Sequence, residues 1–173
     1  HHGSGTTIAV KARLVERLVQ QCGFRGVVFE SQFYDMLDFE HSIAAESATR
    51  EQLADSIGAL WSRYSEVAHL ETWLFHEAKT GHLHLAGMDP QAGGINEPYS
   101  QHYLPAALSS VLSGDRRTDC TVIISRDVQW TYDDTHPFDT GALSQLRSCL
   151  QDIRESLAKI GPHTNPNGGL TML

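Results

Sequence analysis

Three residues near the start of the chain have side chains that can activate water or bind an anion. Glu30 ends the apolar run at residues 26–30, which we predict to be a buried strand. The preceding helix, predicted over residues 8–22, carries Lys11 on an otherwise apolar face. A helix that returns over a sheet to a parallel strand points its N-terminus at the carboxyl end of that strand, so we expect Lys11 and His2 near Glu30. A histidine, a lysine and a carboxylate at this edge would form a potential catalytic site.

Both charged residues also have a purely structural explanation. Lys11 could extend its aliphatic stem past the core and leave its ammonium group in solvent. Glu30 could cap the helix that begins near Gln32. An inward lysine beside Glu30 would instead form a charge pair that orients an anionic group. The sequence leaves these alternatives open.

The order of elements along the chain predicts the fold class. A second short strand, predicted over residues 82–87, runs into Asp89, and a third, predicted over residues 120–124, runs towards Asp127. Helices are predicted between and after these strands, over residues 32–46, 50–61, 64–80, 99–112 and 141–160. This alternation predicts a helix-rich α/β fold with a largely parallel β-sheet flanked by α-helices. We expect a single domain over residues 1–160 and a tail or linker over residues 161–173.

Polar residues around the second strand are further candidates for a site. Asp89 and Gln91 follow that strand, where they could bind a ligand or shape a turn with Pro90. His82 and His84 alternate along the chain and so face the same side of a strand. Paired histidines can bind a metal, but no third ligand follows at a diagnostic spacing, so we favour a structural role for them.

The composition and the absence of several motifs exclude some classes of function. Thirteen basic and 21 acidic residues give a net charge of -8, which argues against a nucleic-acid partner. No apolar run approaches the roughly 20 residues of a membrane span, and we expect a cytoplasmic protein. The three cysteines, an odd number without close pairs, argue against a disulfide framework. Since no G-x-S-x-G motif, P-loop or dinucleotide fingerprint is present, a hydrolase of this sequence would activate water rather than form an acyl-serine.

Several segments taken together resemble the erythromycin esterase-like family. Its members carry a Gly-Glu-x-x-His-Gly stretch, a helix with Lys or Arg, then Gly-Phe and an apolar strand that ends in Phe-Glu. The similar segments here are residues 2–7, 11–14, 23–25 and 27–31, and a subgroup with a Phe-Glu-Ser-x-x-Tyr-Asp motif is similar to residues 29–35, 60–62 and 85–91. The resemblance spans about residues 2–112. Because His2 falls at the motif histidine, we read His1 and His2 as native sequence rather than as a purification tag.

The resemblance implies hydrolysis of a small-molecule ester or macrolide lactone, an activity linked to antibiotic resistance, without a metal or other cofactor. His2 would be the general base that takes a proton from water. Lys11 would hold substrate or stabilise the oxyanion, and Glu30 would orient His2 or the water. Tyr34, which falls in the subgroup motif, and the pair Asp89 and Gln91 would contact the substrate.

The sequence also departs from the family pattern. The motif glutamate before His2 and a later Ala-His-Asn-x-His segment are both missing. We therefore expect the chain, which does not begin with Met, to be part of a longer protein. Two other functions stay open: a metal- or haem-binding protein of the same wider superfamily, and a ligand-binding domain without catalysis.

Overall fold

The computed structural model describes residues 5–62, 64–93 and 98–160, without the side chains of residues 59 and 60. His2 and the predicted tail at residues 161–173 lie outside the described residues. Contacts between residues divide the chain into two compact units, His1–Ser100 and Gln101–Leu173. The single domain that the sequence predicts over residues 1–160 stays a prediction.

The described part of the first unit alternates helices and strands. Its elements are α1 (Gly5–Cys22), β1 (Gly26–Gln32), α2 (Phe33–Ala44), α3 (Arg50–Ile57), α4 (Ala59–Ser62), α5 (Ser65–Lys79) and β2 (His84–Asp89). A single π-helical turn at Tyr99–Tyr103 leads into the second unit. The chain is thus broadly α/β and rich in helix, as the sequence predicts.

Local signals set several of the predicted helix ends. Gly23 and Gly81 follow α1 and α5 with φ angles of 74° and 72°, a left-handed conformation that favours glycine and ends a helix. At the start of α3, the Thr49 hydroxyl accepts the backbone N–H of Gln52 at 3.1 Å. Thr49 therefore satisfies one of the N–H groups that a helix start leaves without a partner.

The two strands pair in parallel, and they form a small sheet rather than the large one that was expected. Gly26 lies opposite His84 and Phe29 opposite Gly87; after an irregularity, Gln32 lies opposite Asp89. No third strand joins them among residues 5–62, 64–93 and 98–160.

The prediction that residues 26–30 form a buried strand is correct for the strand, but only one of its faces is covered. Val28 and Met88 are 62% and 64% exposed, whereas Leu85 on β2 is 2% exposed. The inner side chains of the two strands pack on a core from α1, α2, α3 and α5 that includes Met36, Phe39, Leu53 and Leu74. An apolar run of this kind is compatible with one covered face or two, and here the helices cover one.

The prediction of a third strand at residues 120–124 is wrong, because this segment lies within a helix. The second unit contains α6 (Leu104–Ser109), α7 (Gly114–Val128) and α8 (Thr140–Ile160) in its described part. Cys120, Ile124 and Val128 are buried at a spacing of four residues, which is the period of a helix face. Packing along this face outweighs the strand preference of the β-branched residues in Cys-Thr-Val-Ile-Ile.

A disulfide between Cys120 and Cys149 links α7 to α8, contrary to the prediction drawn from the cysteine count. The two Cα atoms are 5.4 Å apart and both side chains are fully buried. The residues are 29 positions apart in sequence, so their pairing depends on the packing of two helices. Between the same two helices, the Arg116 Nε donates to the Asp152 carboxylate at 2.6 Å. Cys22 is the remaining cysteine and is an exposed free thiol.

Across the described residues, none of the helices combines the length and apolar character that a bilayer crossing requires.

Candidate functional site

Lys11 and Glu30 line the same cavity, which has a volume of about 290 Å³ and lies within the first unit. The cavity is bounded by the face of α1 that carries Ile8, Lys11, Ala12 and Val15, and by β1. These α1 residues are spaced by three and four positions and so form one stripe of the helix. The stripe recognised in the sequence is therefore the wall of a cavity as well as a packing surface.

The remaining described lining residues of the cavity are apolar. Val27, Val28 and Phe29 come from the strand; Ile57, Trp61, Val67 and Leu70 come from α3, α4 and α5. Consecutive residues of β1 reach the cavity, so the strand borders it along its unpaired edge instead of presenting one face. Among the described lining residues, Lys11 and Glu30 carry the charges.

The two charged side chains lie on the solvent side of the cavity. Lys11 and Glu30 are exposed, whereas Ile8 and Ala12 beside them are buried. In the described part of the chain, no ion pair joins Lys11 directly to Glu30. The exposed position of Lys11 agrees with the alternative in which the lysine reaches past the core to solvent. An apolar interior with a charged mouth can bind a molecule that has both a hydrocarbon part and a polar group.

The alternative role for Glu30, as a helix cap, finds no support in the geometry. Gln32 occupies the N-cap position of α2, and no side-chain hydrogen bond caps that helix. The Gln32 side chain instead donates to the Gly93 carbonyl at 3.4 Å. Glu30 is thus available for contacts at the cavity.

Glu66 is a carboxylate near α1 that the sequence did not indicate. A side chain added at Gly5 would collide with the Glu66 carboxylate, so these two groups are in close contact. The N-terminus of a helix carries partial positive charge, which favours a carboxylate there. Glu66 precedes the cavity residue Val67 and lies 61 positions from Gly5 in sequence, so no local spacing could have revealed the contact.

The predicted substrate-binding residues lie elsewhere in the first unit. Tyr34 stacks edge to face on Phe33, with ring centres 5.4 Å apart. The Asp89 carboxylate accepts the backbone N–H of Gln91 at 2.9 Å, which is the geometry of a turn. None of these residues is among the described lining of the cavity. Their role in substrate binding stays a prediction.

The carboxyl end of β1 leads into a group of acidic residues. Asp35, buried in the first turn of α2, accepts the backbone N–H groups of Tyr99 and Ser100 at 3.0 and 3.4 Å. Burial raises the pKa of Asp38, against a hydrogen bond from Gln52 that lowers it. Burial also raises the pKa of the Tyr99 hydroxyl, and the nearby Asp38 and Asp35 charges add to that shift. The hydrogen bonds of Asp35 therefore join Tyr99 and Ser100 to the first turn of α2.

The two candidate histidines contact different carboxylates. The His82 Nδ1 lies 3.3 Å from Glu77, and the His84 Nδ1 lies 3.3 Å from Glu40. Within the described segments, no three histidine, cysteine, aspartate or glutamate side chains are grouped so that they could hold a metal ion. The structural role favoured for this pair stays a prediction.

Comparison of the chain with family models, with curated proteins and with solved structures finds no match.

Proposed function

We propose that the chain hydrolyses an ester or lactone bound in the cavity between α1 and β1. The observation that carries the proposal is the position of Lys11 and Glu30 at the mouth of one apolar cavity. The sequence resemblance to erythromycin esterase-like proteins supplies the reaction type, and the cavity supplies a place where it could occur. The hydrocarbon part of the substrate would contact Val15, Phe29 and Leu70.

Each polar group has a defined task in this proposal. His2, three positions before the start of α1, takes a proton from water and so generates the nucleophile. Water adds to the acyl carbon, its oxygen forms the new bond, and the carbonyl becomes a tetrahedral oxyanion. The Lys11 ammonium stabilises this charge, and Glu30 orients the histidine or the water. Collapse of the intermediate breaks the ester bond, and the alcohol leaves with the proton held by His2.

The volume of the cavity limits the size of the substrate. A volume of about 290 Å³ lies at the lower limit of small-molecule pockets, which span roughly 300–1,000 Å³. A small ester or lactone is therefore a better fit than an entire macrolide ring. We accordingly propose small acyl esters and small lactones as the substrate class, with macrolides as a comparison.

The test measures hydrolysis of p-nitrophenyl acetate and butyrate by the wild-type chain and by His2→Ala and Lys11→Met. Loss of the general base should lower kcat/KM by roughly 10²–10⁴-fold. Lys11→Met keeps the length of the side chain but removes its charge, so it should lower kcat more than it raises KM. Arg13→Ala is the matched control, because Arg13 is also exposed on α1 but does not line the cavity. Unchanged turnover in His2→Ala contradicts the proposal.

A second function, ligand binding without catalysis, is favoured by the predominantly apolar lining of the cavity. In that case an ester would bind and remain intact. Isothermal titration with a non-hydrolysable amide analogue, together with product analysis after incubation with the matching ester, separates the two functions. Saturable binding without product supports the binding function.

A further inference from the structure

The connection between α7 and α8 carries three aromatic residues that pack on one another. The ring centres of Trp130, Tyr132 and Phe138 lie 5.0–5.3 Å apart, and two of the three pairs have a T-shaped arrangement. We refer to these three residues as the aromatic cluster. Although its rings contact one another, Trp130 and Phe138 remain 65% and 48% exposed. Single exposed aromatic residues are common on protein surfaces, but a packed group of them indicates a contact surface.

The backbone holds Trp130 in a conformation that a tryptophan adopts at a cost. Its φ angle is 50°, in the left-handed region. The backbone N–H groups of Trp130 and Thr131 donate to the carbonyls of Asp127 and Arg126, which is the hydrogen-bond pattern that ends a helix with a left-handed residue. Glycine is the usual residue at this position. The backbone conformation therefore does not favour a tryptophan at this position, and the indole ring remains largely exposed.

Hydrogen bonds fix the loop that carries the cluster. The Asp133 carboxylate accepts the backbone N–H groups of Thr135 and His136 at 2.8 and 2.7 Å, and also the Thr135 hydroxyl. The Tyr132 hydroxyl donates to Asp127 at 3.1 Å. The cluster is thus held in place before any partner arrives, which lowers the entropic cost of binding.

The charges around the aromatic cluster are mainly negative. Four aspartates, at positions 127, 133, 134 and 139, lie within three positions of a cluster residue in sequence, against no lysine or arginine within the same distance. The hydrogen bonds from Thr135 lower the pKa of Asp133, so this carboxylate keeps its charge under mildly acidic conditions. The negative faces of aromatic rings attract a cation, and surrounding carboxylates strengthen that attraction.

We propose that the aromatic cluster is a docking site for a basic segment of a partner protein. The segment would place a lysine or arginine side chain over the exposed face of Trp130 and an apolar side chain against Phe138. The aspartates around the cluster would contact the other basic side chains of the segment. Charge complementarity selects this occupant over an acidic segment, which the aspartates would repel.

The test titrates the wild-type chain with a hexapeptide of alternating arginine and leucine and follows the indole N–H signals by NMR. Trp130→Gly assigns the Trp130 signal and also relieves the left-handed backbone, so this variant is expected to remain folded. We expect a saturable shift of the Trp130 signal, with the signal of Trp73, which lies outside the described lining of the cavity, as the internal reference. A hexapeptide of alternating glutamate and leucine is the matched control probe.

Two further variants measure separately how much the aromatic rings and the carboxylate charges contribute to peptide affinity. Phe138→Ser should weaken binding of the basic peptide by about two- to fivefold or more, since each exposed cation–π or apolar contact contributes about that factor. Asp133→Asn/Asp134→Asn keeps the acceptor oxygens of the turn but removes two charges, and it should weaken binding and reduce its dependence on salt. Equal shifts with the acidic peptide, or no shift with either peptide, overturn the proposal. Shifts with an oligosaccharide such as cellohexaose but not with the basic peptide also overturn it.

Discussion

The Glu40 carboxylate accepts the backbone N–H of Leu85 at 2.8 Å, so a side chain of α2 occupies the place of a further strand at the outer edge of β2. The preceding N–H, of His84, donates to the Arg25 carbonyl on the other side, as expected for the alternating directions of a strand. The second oxygen of Glu40 contacts the His84 ring at 3.3 Å. One edge of the small sheet is therefore closed by a carboxylate, and the other borders the cavity with Lys11 and Glu30.

Replacing Glu40 tests this contact. Glu40→Ala leaves the Leu85 N–H without its acceptor, and a hydrogen bond to a charged group contributes about 1.5–3 kcal/mol. Glu40→Gln keeps an acceptor oxygen, so it should lower the free energy of unfolding by less than half as much as Glu40→Ala does. The measurement is chemical denaturation followed by circular dichroism. Equal stability of Glu40→Ala and wild type would show that the contact contributes nothing.

The disulfide should dominate the stability of the second unit. The Cys120–Cys149 bond closes a loop of 29 residues, and the loss of chain entropy in the unfolded state then stabilises the fold by about 3–4 kcal/mol. Cys120→Ala/Cys149→Ala should lower the thermal midpoint of this unit, whereas Cys22→Ser, at an exposed free thiol, should leave it unchanged. Thiol labelling in denaturant gives a direct check: one reactive thiol is expected before reduction and three after it. Three thiols before reduction would rule out the bond.

Glu71 makes the stability of the first unit depend on pH. Its side chain is buried, one carboxyl oxygen has no hydrogen-bond partner, and burial raises its pKa above the ordinary value of a glutamate in spite of the Arg50 charge. The folded state thus binds the proton more tightly than the unfolded state, so the ionised form destabilises the fold above the folded pKa, and this penalty disappears as the pH falls below the unfolded pKa.

Glu71→Leu should therefore increase the free energy of unfolding at pH 7 by about 1–3 kcal/mol, the cost of an unsatisfied buried polar group. The difference from wild type should shrink as the pH is lowered towards 4.5. Thermal melts of both proteins between pH 7 and 4 measure this. Glu51→Leu, at an exposed glutamate of the same unit, is the control, and a difference that grows on acidification would contradict the assignment.

Filling the cavity should select against larger substrates. Val15→Trp places a bulky ring inside the apolar part of the 290 Å³ space without touching Lys11 or Glu30 chemically. We expect a loss of kcat/KM that is greater for p-nitrophenyl butyrate than for the acetate, because the longer acyl chain needs more of the cavity. Leu14→Trp, at an exposed position of α1 outside the cavity, controls for the added ring. Identical losses for both esters would place the substrate elsewhere.

The sequence by itself determined the elements whose signals are local. The apolar stripe of α1, the glycines that end α1 and α5, the cap at Thr49 and the two strands around Phe29 and Leu85 depend on residues within a few positions of each other. Such signals act before the chain becomes compact, because they concern backbone conformation and the period of apolar residues. The strand prediction for residues 120–124 was wrong for the same reason. The β-branched residues of this segment favour a strand locally, whereas the helix that packs against it contains Cys149, 29 positions from Cys120.

Tertiary structure alone decided the contacts between distant residues. The bond between Cys120 and Cys149, the closing of the β2 edge by Glu40, and the contact of Glu66 with Gly5 each join segments that no spacing relates. The same holds for the cavity: the order of α1 and β1 predicted that Lys11 and Glu30 would lie near each other, but its apolar wall comes from Trp61, Val67 and Leu70. Burial and pairing of such groups depend on how the helices pack, and that packing is a property of the whole folded unit.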